Sequence, residues 1–95
     1  MIELRVQYLA QLRTARGVAD ESCHLPEGAT LAQLLTQLAG THGAEVAKHL
    51  YAAAGVVQPS LMIAVNGTAI SVRQSSQTLL RSGDVVTLMP PIAGG

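Results

Sequence analysis

The residues whose types and order could do chemistry stand at the end of the chain, in the run Pro90-Pro91-Ile92-Ala93-Gly94-Gly95. Proline has no backbone donor and a fixed φ, so Pro90-Pro91 stops a strand and projects the segment from Ile92 to Gly95 as a stiff, extended spacer. Gly94 and Gly95 carry no Cβ and fit a slot too narrow for a side chain. The one reactive group delivered there is the α-carboxylate of Gly95. Chance supplies a Gly-Gly end about once in 200 chains at average glycine usage. The remainder of the sequence therefore has to decide whether this end is functional.

Rival chemical candidates are weaker. Cys23 is the single cysteine, which excludes a disulfide framework, and no neighbouring residue type marks it as an activated thiol; a small buried strand residue is expected. His24, His42 and His49 show no i, i+4 pair of the kind that builds a helical metal site, so no metal is expected. Arg81 and Asp84 flank a turn and read either as turn chemistry or as charges that steer a partner. No paired carboxylates and no nucleophile–base pair can be picked out, so any catalysis at Gly95 belongs to other proteins.

Composition narrows the classes further. Ninety-five residues make one domain, and with no Phe or Trp its core must be aliphatic. Six acidic and six basic side chains are scattered along the chain, leaving no electrostatic footprint for nucleic acid or anionic lipid. No apolar run reaches the ~18 residues of a membrane span, and the start lacks the pattern of a secretory signal. A cytoplasmic location is expected.

The elements that must position the terminus can be read from periodicity. Ile2, Leu4, Val6 and Tyr8 alternate with Glu3, Arg5 and Gln7, which predicts a strand with one buried face. A short helix over 9–16 closed by Gly17, then a weaker strand over 18–25, completes a first hairpin. Thr30 caps the best helical pattern in the chain, with Leu31, Leu34, Leu35, Leu38 and Ala39 on one face. Gly40 and Gly43 read as stops, a second short helix runs on through Tyr51, and 52–60 reads as a loop. The apolar run 61–65 meets Asn66-Gly67, a strong hairpin signal, and returns over 68–72. The last strand is 85–89, with Val86 and Leu88 on one face and Val85, Thr87 and Met89 on the other. This order predicts an α+β roll of the β-grasp kind: a mixed, curved sheet over 1–89 packed on one main helix, with 90–95 as an extended tail. The second face of the last strand is then apolar and exposed, which suggests a partner surface.

The sequence resembles the ubiquitin-like sulfur-carrier proteins, and within them most closely the small subunit of molybdopterin synthase. The stretches that carry the resemblance are Tyr8-Leu9-Ala10-Gln11-Leu12-Arg13, Ala64-Val65-Asn66, Ser82-Gly83-Asp84-Val85 and the final hexapeptide, in the family's order from end to end. Leu9 stands where the family often has Phe. The resemblance implies a ubiquitin-like β-grasp protein that binds no cofactor itself. Its Gly95 carboxylate would be adenylated by a ubiquitin-activating-type adenylyltransferase using ATP, then converted to a thiocarboxylate by a sulfur donor protein. In the molybdopterin branch the tail would enter the large synthase subunit and deliver sulfur to cyclic pyranopterin monophosphate. An adenylate is a good leaving group on an otherwise unreactive carboxylate, and a thiocarboxylate sulfur is nucleophilic near neutral pH for the reason thiolates are.

On this reading Gly95 is the reacting residue, and Gly94, Ala93, Ile92, Pro91, Pro90, Met89 and Val85 engage partners. Three other roles stay open: carrier for cysteine, thiamine or another sulfur metabolite, ubiquitin-like protein modifier joined to lysines, and plain binding module using its sheet face.

Overall fold

The first strand runs parallel to the last, and this non-local pairing organises the molecule. A computed structural model describes residues 1–53 and 55–90. Among these, β1 (Ile2–Tyr8), β2 (Asp20–Leu25), β5 (Met62–Val65), β6 (Thr68–Ile70) and β7 (Val85–Met89) form a mixed sheet in the order β2-β1-β7-β5-β6. β1 pairs antiparallel with β2 and parallel with β7, with Val6 opposite Val86 and Tyr8 opposite Leu88. β7 pairs antiparallel with β5 on its other side, so the strand that leads to the terminus is central. The expected β-grasp arrangement is what forms.

One face of this sheet is the core. Ile2, Leu4, Val6 and Tyr8 of β1, Cys23 and Leu25 of β2, Ile63 of β5, and Val86 and Leu88 of β7 are buried against Leu31, Leu34, Leu35 and Leu38 of helix α2 (Leu31–His42). Each such aliphatic side chain contributes on the order of 1.5–3 kcal/mol. Leu12 of α1 (Gln11–Arg16) and Val46 and Leu50 of α3 (Ala44–Leu50) close the ends of the same core. The Thr30 cap is a full capping box: its hydroxyl accepts the Gln33 N–H at 3.3 Å, and its own N–H donates to Gln33 Oε1 at 2.8 Å. Helix α2 passes through Gly40, which does not stop it, and ends at Gly43, whose φ of 81° suits glycine alone.

Two further departures come from short segments. Residues 52–60, expected as loop, contain part of a small separate ribbon of β3 (Tyr51–Ala53) and β4 (Val56–Val57). Tyr51, expected in the second helix, opens that ribbon instead. The returning strand β6 ends at Ile70, and Val72–Gln74 form a 3-10 turn capped by the Ser71 hydroxyl. The segment before β7 is stitched to the start of α2 by Leu31 N–H to Thr78 O at 2.9 Å and Leu80 N–H to Ala29 O at 3.0 Å. That stitching buries Leu80 and leaves its neighbour Leu79 exposed.

Candidate functional site

β7 delivers the chain to its end between two apolar side chains. Leu9 continues the pairing of β1 by donating its N–H to Leu88 O at 3.0 Å, and Met62 of β5 lies directly opposite Met89 of β7. The corner after Leu9 is made by Ala10 at φ 53° and ψ −131°, a region that a residue with a Cβ occupies only under strain. The turn leaves Leu9 42% exposed beside the end of β7. Met62 is 58% exposed on the other side. With Ala64, Ala69, Thr87 and Met89 they line a shallow apolar hollow of about 160 Å³ on the sheet's outer face. Pro90, the last described residue, is buried.

On the β1–β2 side the outer face carries polar side chains, several of them paired. Arg5 Nη1 donates to Asp20 Oδ1 at 2.7 Å, His24 Nε2 lies 3.4 Å from Glu3 Oε2, and Thr87 Oγ1 donates to Gln7 Oε1 at 3.1 Å. The outer face thus divides along β7, polar on the β1–β2 side and apolar on the β5–β6 side.

The start of β7 is fastened separately. Asp84 accepts the Arg81 N–H at 2.8 Å through Oδ2 and the Asn66 side-chain amide at 2.9 Å through Oδ1. Asn66 Oδ1 accepts the Val85 N–H at 2.9 Å, and the Asn66 N–H donates to Val85 O at 2.8 Å. The Asp84 carboxylate is thus spent on the turn. Arg81 contributes its backbone N–H, while its side chain makes no ion pair among the described residues.

The strongest electrostatic cluster lies away from the strand's end. Glu21 accepts from the Tyr8 hydroxyl and from the Arg16 fork at 2.9 and 3.0 Å, and its Oε2 lies 2.8 Å from His42 Nε2. The Arg16 hydrogen bonds, with help from Tyr8 and His42, hold the Glu21 carboxyl down at about 2. Burial and the bond to Glu21 push the Tyr8 phenol well above its ordinary range. These four residues bind β1, α1, β2 and the end of α2 together. Cys23 is buried on β2, where burial, then the Glu21 charge, pushes its thiol up to about 11, the opposite of an activated nucleophile. Among the described residues no group of three or more His, Cys, Asp or Glu side chains could hold a metal ion.

Of the residues expected to engage partners, Met89 lies in the apolar hollow. Val85 shares its face but sits at the far end of β7, opposite Arg5, so the two do not form one patch. Pro91, Ile92, Ala93, Gly94 and Gly95 lie outside the described residues. Leu9, Met62, Ala64 and Ala69 belong to the hollow and were not expected there. The signal for two of them was present: within the apolar run 61–65, Leu61 and Ile63 face the core, so Met62 and Ala64 alternate outward.

A central strand parallel to the first, a single main helix across one face, and an apolar outer face at the strand's end define a ubiquitin-like β-grasp protein. The ThiS family model matches residues 6–95, and the chain belongs to that family of ubiquitin-like sulfur carriers. It is 29% identical over 94 residues to a molybdopterin synthase sulfur carrier subunit from Chlamydomonas reinhardtii, covering 99% of this chain and 100% of that one. A Pyrococcus furiosus structure, provisionally assigned as molybdopterin converting factor subunit 1, shares 30% identity with a TM-score of 0.73, covering 97% of this chain and 100% of the other. SAMP1 from Haloferax volcanii superimposes with a TM-score of 0.84 at 22% identity, over 98% of this chain and 99% of that one, and so speaks for the fold alone.

Proposed function

We propose that this chain is the sulfur-carrying subunit of a molybdopterin synthase. The observation that carries the reading is the apolar hollow of Leu9, Met62, Ala64 and Met89 beside the strand that runs into Pro90 and the Gly-Gly end. Apolar surface at that point suits partners that must hold the domain while working on its terminus. An adenylyltransferase joins AMP from ATP to the Gly95 carboxylate and releases pyrophosphate. A sulfur nucleophile then displaces AMP, leaving a thiocarboxylate on Gly95. Pro90 and Pro91 lack the backbone donor that would continue a strand, and Gly94 and Gly95 add no side chain to the part that a partner's active site would receive. The large synthase subunit takes up this end, and the sulfur passes to cyclic pyranopterin monophosphate.

The two relatives named for molybdopterin synthesis support this destination over other sulfur metabolites. The test is a transfer assay with chain loaded at Gly95, large subunit and pterin precursor. Conversion of the precursor, lost when Gly95 is deleted, is expected. A loaded chain that serves another sulfur acceptor but leaves the pterin untouched would overturn the destination while keeping the carrier.

A further inference from the structure

Asn66-Gly67 makes the β5–β6 turn, with φ of 52° and 83° at its two residues. The same dipeptide is chemically fragile, because glycine leaves its backbone nitrogen unshielded next to the asparagine side-chain carbonyl. Here both atoms of the Asn66 amide are occupied: Nδ2 donates to Asp84 Oδ1 at 2.9 Å and Oδ1 accepts the Val85 N–H at 2.9 Å. We propose that Asn66 is a latent deamidation site, protected in the folded chain by Asp84 and Val85, whose conversion unfastens the start of β7.

The Gly67 nitrogen attacks Asn66 Cγ, forming a C–N bond. The Cγ–Nδ2 bond breaks, and that nitrogen leaves as ammonia with the proton from Gly67. Water then opens the resulting succinimide to aspartate, or to the β-linked isomer whose main chain is one carbon longer. Water is the sole co-reactant. The first bond requires Cγ to swing toward Gly67, away from β7, so both side-chain hydrogen bonds must be given up. Local opening of the hairpin is therefore the gate.

The product is incompatible with the bracket that protected its precursor. Aspartate at this position retains an acceptor for the Val85 N–H but has lost the donor to Asp84. Asp84 Oδ1 then faces a second carboxylate where it had an N–H at 2.9 Å, and like charges at that spacing repel. Because Asp84 also accepts the Arg81 N–H, the disturbance reaches the turn that leads into β7. The β-linked isomer lengthens the turn and shifts the register of the hairpin.

The test tracks the mass gain of an NH₂-to-OH exchange, located at 66 by peptide mapping, in mildly alkaline buffer with and without urea. Deamidation in the folded chain should be slower than in the urea-unfolded chain by about tenfold or more. Asp84→Ala, checked by its melting curve to be folded during incubation, should lose most of that protection. Asn66→Asp should lower the melting temperature, and Asn66→Asp combined with Asp84→Asn, which restores a donor opposite the new carboxylate, should recover it. Equal rates in folded and unfolded chains, undiminished protection in Asp84→Ala, or a double variant no more stable than Asn66→Asp would each overturn the proposal. None of these readouts involves Gly95, so the result stands apart from the sulfur-carrier reading.

Discussion

On the β1–β2 half of the sheet's outer face, Glu3 meets His24, Arg5 meets Asp20 and Gln7 meets Thr87. On the β5–β6 half, Met62, Ala64, Ala69 and the flanking Leu9 line an apolar hollow that opens to solvent. The same sheet, with the same core beneath it, is finished in two ways. Exposed ion pairs hold their partners weakly, at roughly 0–1 kcal/mol each, but they complete the surface of an isolated domain. Apolar side chains left in water do not. On the proposed function their burial is left to a complex, and the boundary between the two treatments is β7, the last strand.

The comparison is broken most severely by a charge on the apolar half. Met89→Asp should weaken binding of the activating enzyme by about 100-fold or more, since a desolvated unpaired charge costs several kcal/mol, while the melting temperature moves little. Calorimetric titration beside a melting curve checks both; equal losses in the two would place Met89 in the fold rather than on a partner surface.

Glu21 offers the converse. Glu21→Gln keeps the size of the side chain but weakens its bonds to Tyr8, Arg16 and His42, and should cost about 2 kcal/mol in stability, read by urea unfolding, with partner binding unchanged. The carboxyl is held at about 2 against 4.5 in the unfolded chain. A depressed acid stabilises the fold fully above its unfolded value, so this contribution is intact above pH 4.5 and is lost as pH falls from there toward 2. Glu21→Gln should flatten the stability profile in that window.

Ala10→Gly sharpens the comparison on a smaller scale. Glycine accepts φ 53° with ψ −131° without strain, so the variant should gain up to ~1 kcal/mol in urea unfolding. Leu9 keeps its place if the Leu88 carbonyl still holds it. Smallest of all, Arg5→Ala removes an exposed pair with Asp20 and should move stability by less than ~0.5 kcal/mol.

What was legible in the sequence was what local pattern encodes. The alternation of β1, the four leucines and Thr30 cap of α2, and the Asn66-Gly67 turn each contain their signal within a few residues, and each formed as expected. The β3–β4 ribbon did not announce itself because strands of two and three residues have no period to read. The Glu21 cluster draws on positions 8, 16, 21 and 42, brought together only by the fold, and Glu21 alone looks like one more surface carboxylate. The hollow was half legible: Met89 was expected at a partner surface, but its companions come from β5, β6 and the corner after β1. Val85 lies on the same face as Met89 at the opposite end of β7, beside Arg5 and outside the hollow.

The central claim is that the chain serves other proteins through the carboxylate of Gly95. Intact mass analysis of the chain after incubation with ATP, its activating enzyme and a sulfur donor tests it most directly. The account predicts a mass gain corresponding to one oxygen replaced by sulfur, located in the terminal peptide and absent when Gly95 is deleted, with the deletion leaving the melting temperature unchanged. An unchanged mass under conditions that form the adenylate, or a ladder of larger lysine-linked conjugates in place of the sulfur-bearing species, would contradict it.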